Sequence, residues 1–294
     1  MKIFITGGAG FIGSNIAQSL VKEGHQVKIY DNFSTGRMNN LLEIKNDCEI
    51  VNGNILDFEK VKKEMKNCDF VSHQSAQLEI IRGDSDPEFD LRVNTIGTLN
   101  ILKSAKENNV KKVVNASSAC IYGQTDGPTS ETFYPKPNWA YGVSKLAAEK
   151  YCEIYNDYYE LPVVSLRYAI TYGEREWFRR VLTIFIKRAI QNLPLVIFGD
   201  GNQIRDFIYV GDVVKFHNLC LFDKKADGQS FNVGTAVATS INQLAEKVIK
   251  SSGKKLNVLH ENLPEGETSK IVPGKKRNSS ELKKMILDIS KAKN

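Results

Sequence analysis

The chain has 294 residues, 41% of them hydrophobic, and its 40 basic and 34 acidic residues leave a net charge of +6. That length and apolar content can bury a sizeable core without disulfides or metals. The small basic excess does not call for nucleic acid, and no apolar run approaches the length of a membrane span. The clusters Lys254-Lys255, Lys275-Lys276-Arg277 and Lys283-Lys284 read as a solvated basic face. The five cysteines and four histidines are scattered, with no C-x-x-C. This argues against a disulfide framework or a metal site and points to a reducing cytoplasm.

Residues 2–6 are apolar, short and β-branched and end in glycines, which predicts a strand followed by a turn rather than a signal peptide. The turn is Gly7-Gly8-Ala9-Gly10-Phe11-Ile12-Gly13, and it opens a segment over 11–23 whose Ile12, Ile16, Leu20 and Val21 recur at helical spacing. Strand, glycine turn and helix form the context in which G-x-G-x-x-G binds a dinucleotide. The early glycines let the backbone approach a pyrophosphate, Gly13 permits close packing of helix on strand, and the helix N-terminus favours the anion. Residues 26–30 alternate as a second strand and deliver Asp31 eighteen residues after Gly13. A carboxylate there can bond the ribose hydroxyls and disfavours a 2′-phosphate, so the expected cofactor is NAD rather than NADP.

Further strands are expected at 49–52, 69–73, 112–117 and 163–167, with helices at 58–66, 89–108 and 138–160. Strands alternating with helices predict an α/β fold, a Rossmann-type doubly wound parallel sheet. Ser117-Ser118-Ala119-Cys120-Ile121-Tyr122-Gly123 ends one strand at the edge where such sheets bind ligands, and Ser118 can hydrogen-bond a substrate oxygen there. Tyr141-x-x-x-Lys145 places a phenol and an ammonium on one helix face. A phenol of pKa about 10 is a poor base at neutral pH. A nearby ammonium and the positive nicotinamide favour the phenolate, so Tyr141 can take a proton from a sugar hydroxyl while hydride leaves the adjacent carbon.

After residue 170 the pattern changes. A helix over 178–192, strands at 195–198 and 206–210, helices at 212–222 and 241–251 and a loop over 262–280 predict a smaller C-terminal substrate lobe. The expected division is an NAD-binding domain over 1–170, carrying Ser118, Tyr141 and Lys145, and a partly interleaved lobe over 171–294.

Together these motifs resemble the extended short-chain dehydrogenase/reductase superfamily, in particular its NAD-dependent nucleotide-sugar epimerases and dehydratases, and most of all the UDP-glucose 4-epimerase-like members. The resemblance runs along essentially the whole chain. It is carried also by Gly53-Asn54-Ile55-Leu56-Asp57, by Val93-Asn94-x-x-Gly97-Thr98-x-Asn100 and by Gln203-Ile204-Arg205-Asp206-Phe207-Ile208-Tyr209-Val210. It implies that Gly7, Gly10, Phe11, Ile12, Gly13, Asp31 and Asn32 hold the dinucleotide, that Ile55 and Asp57 bracket the adenine, and that Asn94 helps to hold the cofactor core. Tyr141 and Lys145 then touch the cofactor as well as catalyse. Arg205 contacts the nucleotide diphosphate by a charge-assisted fork, and Tyr168 joins Ser118 and Arg205 on the substrate. Two copies are expected to pair through helices like 89–108 and 138–160.

Within that family, dehydratases carry an Asp-Glu pair after the serine or threonine, and decarboxylases keep an acid at the second of those positions. Here they are Ala119 and Cys120, neither of which can serve as a carboxylate acid or base. The expectation is therefore a 4-epimerase acting through a 4-keto sugar, most simply on UDP-glucose and UDP-galactose or their N-acetyl forms. Three departures touch the substrate: Ala169-Ile170 replaces Phe-Asn, Glu174 replaces a proline, and no arginine is obvious in the late loop around Leu263-Pro264-Glu265-Gly266-Glu267. They keep open an NAD-dependent dehydrogenase/reductase, or an epimerase at another carbon, acting on a different nucleotide sugar. A non-catalytic NAD-binding regulator is the third possibility, opposed by the intact Ser118, Tyr141 and Lys145.

Overall fold

The computed structural model describes residues 1–176, 180–277 and 281–293. Its centre is a parallel sheet of seven strands: β1 (Lys2–Thr6), β2 (Gln26–Asp31), β3 (Cys48–Asn52), β4 (Phe70–His73), β5 (Lys112–Ser118), β6 (Val163–Tyr168) and β11 (Ser230–Val233). The strand order is β11-β6-β5-β4-β1-β2-β3, so the order reverses between β1 and β4, and a crevice for ligands opens at their carboxyl ends. Strand alternation divides the core. Ile3, Ile5, Val114, Ala116, Val164 and Leu166 pack toward α1 (Phe11–Lys22) and α8 (Val210–Phe222). Phe4, Val113 and Val163 face the opposite way, with Val61 of α2 (Phe58–Glu64), Ile101 and Leu102 of α5 (Gly97–Glu107) and Cys152 of α6 (Ala140–Tyr159). The helices therefore cover both faces, as the alternating sequence pattern requires.

Several expected elements change shape. Between β4 and β5 run α3 (Ile80–Ser85), α4 (Pro87–Leu91), a π-helical turn Arg92–Ile96 and α5, where the sequence predicts one helix over 89–108. The strand expected at 206–210 divides into β9 (Ile204–Arg205) and β10 (Phe207–Tyr209). The cause is Asp206, whose buried carboxylate accepts from Thr235 N, Ala236 N and Leu287 N and so pins three segments to one point. β7 (Ile170–Tyr172) pairs in parallel with β10. The helix expected over 178–192 is α7 (Val181–Ile190), and residues 178–179 lie outside the described residues. The loop over 262–280 is irregular where described, and its last three residues lie outside.

A separate hydrophobic cluster packs Phe185 and Ala189 of α7 against Leu195 and Ile197 of β8 (Leu195–Phe198) and Leu244 of α9 (Ile241–Ser252). β8 pairs with β13 (Val258–Glu261), while β12 (Thr239–Ser240) and β14 (Lys284–Met285) flank β9. The chain ends in α10 (Ser290–Lys293). Residues 171–294 also return α8 and β11 to the large sheet, so the boundary near 170 is crossed in space. Among the described residues no helix is long and apolar enough to cross a membrane, and no three His, Cys, Asp or Glu gather as metal ligands.

Candidate active site

The glycine turn sits where the sheet order reverses. Gly7 follows β1 with φ +65°, and a Cβ on it would lie 2.7 Å from Ser75 N in the loop after β4. A Cβ on Gly13 would run into Gly7 O. Both positions therefore need glycine. Helix α1 begins at Phe11, after Gly10, with no side-chain cap and no acid in its first turn, so the first N–H groups of Phe11, Ile12 and Gly13 remain for an anion. Asp31 ends β2, buried, with Oδ2 accepting from Ala9 N at 2.9 Å and Oδ1 from Phe33 N at 2.8 Å. The carboxylate thus braces the turn itself, a role not evident from its spacing, and keeps lone pairs for a ribose. Burial pushes its pKa up, and the two backbone hydrogen bonds pull it back. Asn32 is exposed and accepts from Ser34 N.

Ile55 is buried under Gly97, whose Cα leaves room for it: a Cβ there would lie 2.5 Å from Ile55 Cδ1. Asp57 is exposed and caps α2 through Lys60 N at 3.1 Å. Asn94, on the π-helical turn, is buried and bonded within the protein. Its Oδ1 accepts from Gln77 N at 2.9 Å, and its Nδ2 donates to Gln77 O and to Ser144 Oγ, each at 3.0 Å. The side chain of Asn94 ties the loop after β4 to α6.

Ser118 is the last residue of β5. Its hydroxyl accepts from Cys120 N at 3.1 Å and stands toward the phenol of Tyr141 on the first turn of α6. Desolvation drives the Tyr141 pKa well up, and the Cys120 thiol adds to this, while the Ser118 hydroxyl and the Arg180 charge pull it down. One turn further along α6, Lys145 is 2% exposed, yet its ammonium makes no hydrogen bond or ion pair among the described residues. Burial lowers its pKa to about 8 against the opposing influence of Cys152, Asp90 and Glu149. A buried ammonium with three unspent donors beside a glycine cradle fits a dinucleotide bearing ribose hydroxyls. Below it, Glu149 is paired with Arg167, whose Nε lies 3.1 Å from Oε1, and Ser117 Oγ donates to Glu149 Oε2. His73, at the end of β4, lies between Thr6 and Thr98, and burial pushes its pKa down to about 3, so it is a neutral support.

Two arginines act electrostatically on the Cys120 thiol. Arg205, on β9, is held by Glu281 at 3.5 Å, and Glu281 also holds Arg277, Nε to Oε2, at 3.0 Å. Arg277, from the basic cluster of the late loop, is partly buried and reaches back to Leu263 O at 2.6 Å. Arg180 precedes α7, reaches Thr171 O, and lies 3.9 Å from Glu176, whose burial raises its pKa to about 7. Arg180 also acts on Tyr141, and its bond to Thr171 O sets it one residue from Ile170, where an asparagine is expected. No motif marks Arg180; only the folding of β7 against β10 brings it here. Tyr168 ends β6, buried, with its hydroxyl reaching Gln74 Oε1 at 3.4 Å in the loop after β4. Ser118 and Tyr141, with Arg180 and Arg205 acting on the adjacent Cys120, thus gather at the end of β5, and Lys145 acts on His73 at the end of β4.

Residues 3–234 match the model of the NAD dependent epimerase/dehydratase family. A Methanocaldococcus jannaschii protein named provisionally as a UDP-glucose 4-epimerase is 37% identical over 275 residues, which cover 92% of this chain and 88% of that one. The structure of Thermotoga maritima UDP-glucose 4-epimerase with UDP-glucose superposes with a TM-score of 0.90 at 32% identity, covering 100% of this chain and 91% of that one. The Thermus thermophilus UDP-glucose 4-epimerase in complex with NAD gives 0.87 at 31% identity, covering 100% and 92%. On its sequence match and on its sheet order, the chain belongs to the NAD dependent epimerase/dehydratase family.

Proposed function

We propose that this protein is an NAD-dependent nucleotide-sugar 4-epimerase, an isomerase, acting on a UDP-linked hexose. The observation that supports it most directly is the convergence of Ser118, Tyr141 and Lys145 with Ala119 and Cys120 beside them. The proton-transfer groups for oxidation at C4 are present, and the carboxylates for elimination are replaced. Gly7, Gly10 and Gly13 with the N–H groups of α1 would hold the pyrophosphate, Asp31 a ribose, and Lys145 the hydroxyls of the second ribose. Bound NAD would supply the hydride acceptor and donor.

Tyr141 takes the proton of the C4 hydroxyl and later returns it, while Ser118 fixes the oxygen. Burial alone holds the phenol protonated, so positive charge in the crevice is what brings it into range. Arg205 and Arg180 bind the diphosphate and leave the sugar free to turn over between the two transfers. UDP-linked recognition is supported by the relatives, whose named substrates and ligands are UDP-sugars.

The test is incubation of purified protein, without added NAD, with UDP-, GDP-, CDP- and dTDP-linked sugars, read by sugar composition. The expected outcome is interconversion of one UDP-linked C4 pair, falling about 10²–10⁴-fold in Tyr141→Phe. No change in any sugar, or stoichiometric NADH release, would overturn the reading.

A further inference from the structure

Asp90 is wholly buried on α4, makes no salt bridge among the described residues, and belongs to no recognised motif. Both of its oxygens are engaged. Oδ1 accepts from Gln77 Nε2 at 2.7 Å, and Oδ2 accepts from the hydroxyl of Ser144. Ser144 lies between Tyr141 and Lys145 in the sequence and is gripped from one side by three residues of the α4 and π-helical segment. Asp90 takes its hydroxyl hydrogen, Asn94 Nδ2 donates to its oxygen at 3.0 Å, and Thr95 Oγ1 donates to its carbonyl at 2.9 Å. The π-helical turn lets the adjacent residues Asn94 and Thr95 both face α6. Gln77 is locked in turn by Asn94 and by Glu79 N.

Two donors, Gln77 Nε2 and the Ser144 hydroxyl, ask for two acceptors, which a carboxylate supplies and an amide, with its one oxygen, does not. A buried anion carries a desolvation cost that calls for a cation nearby. The cation that matches it is Lys145, the residue after Ser144, which feels the charge of Asp90 without forming an ion pair with it. The offset has a consequence. A direct salt bridge would consume the ammonium's N–H donors, whereas a carboxylate one residue removed supplies its field and leaves the donors open. We propose that Asp90 is a positioning residue for Tyr141 and Lys145: it fixes their helical turn through Ser144 and keeps Lys145 charged without occupying its donors. This rests on the reading of Tyr141 and Lys145 as the proton-transfer pair.

Lys145 is faced by His73 from β4, by Asp90 from α4 and by Glu149 and Cys152 from α6. Tyr141 is faced by Ser118 and Cys120 from the end of β5, by Arg180 and by Asp90. Removing the Asp90 charge should therefore ease proton loss from both groups. The direct test is a pH titration of the ¹³Cε resonance of Lys145 in lysine-labelled protein, identified by its loss in Lys145→Met. In wild type it should titrate near 8; in Asp90→Asn it should move down by about one pH unit. Ser144→Ala, which keeps the charge, should leave it in place while lowering kcat several-fold. Asp90→Ser carries the same expectation as Asp90→Asn should the amide not be housed.

In the pH profile of kcat/KM both limbs should shift to lower pH in the Asp90 variants and stay put in Ser144→Ala. A Lys145 titration unmoved by loss of the Asp90 charge, or moved equally in Ser144→Ala, would overturn the proposal. An inactive wild type would instead count against the proposed function, and the resonance would still decide the role of Asp90.

Discussion

At the scale of single residues, the cleft pairs a cation with a titrating partner. Arg180 lies 3.9 Å from Glu176, whose side chain is 3% exposed and whose pKa is raised to about 7, chiefly by burial and against the pull of Arg180. The sign of the effect follows directly. As pH falls through that value Glu176 takes a proton, the cleft gains one unit of positive charge, and an anionic diphosphate should bind more tightly. KM for the nucleotide sugar is therefore expected to fall several-fold between about pH 8 and about pH 6. In Glu176→Gln it should be low throughout and lose that dependence. Steady-state kinetics across this range checks it; a KM in Glu176→Gln that follows wild type at every pH would refute the coupling. The departure from asparagine to Ile170 gains a physical account from the same place. Apolar Ile170 offers no hydrogen bond to a ligand, while Arg180 hydrogen-bonds the backbone of the next residue, Thr171, and is the cation expected to meet a diphosphate there.

At the scale of elements, the turn from β1 to α1 is fixed by backbone contact. A Cβ on Gly13 would press on Gly7 O, a backbone atom that cannot move without displacing Ser75 and the loop after β4. Gly13→Ala is expected to destabilise the protein by about 1–3 kcal/mol and to abolish NAD retention, measured as NAD released on denaturation. Gly127→Ala, where no atom stands within 4 Å of the added methyl, should change neither. This turn was legible because strand, glycines and helix each leave a local signal. So were the other strands that carry hydrophobic alternation and the serine-rich end of β5. Ser230–Val233 was not legible. It is four residues long, with Asn232 among them, and becomes a strand only because β6 presents an open edge. The π-helical turn was equally hidden, since its 92–96 segment carries ordinary helical spacing and only its packing on α6 reveals the extra residue. The hydrogen bonds of Asn94 to Gln77 and Ser144 are hidden in the same way, because they form only once the loop after β4 meets α6.

At the scale of the whole molecule, α6 has two working faces. Tyr141 stands toward Ser118 at the end of β5, and Ser144, Lys145, Ala148 and Cys152 are buried on the same side of the helix. At about 100° per residue, Val143, Tyr151, Ile154 and Tyr158 fall on one stripe of the other side, exposed by 52%, 38%, 40% and 80%. Leu91 and Ile96 extend the apolar surface onto the neighbouring helical segment. An apolar stripe on two antiparallel-capable helices can pair with its own copy about a two-fold axis, burying roughly 1,200–2,000 Å². A homodimer is the outcome to expect if this surface is covered by a second copy of the chain.

Light scattering after size exclusion should give twice the 33.0 kDa chain mass for wild type and the single mass for Val143→Glu combined with Ile154→Lys. Because the same helix carries Tyr141 and Lys145, the monomeric variant should melt earlier and lose kcat per chain more than it raises KM. A wild type that runs as a monomer at micromolar concentration would refute the interface. A monomeric variant with undiminished kcat would show instead that Asp90, Asn94 and Thr95 hold the catalytic turn of α6 without help from a second subunit.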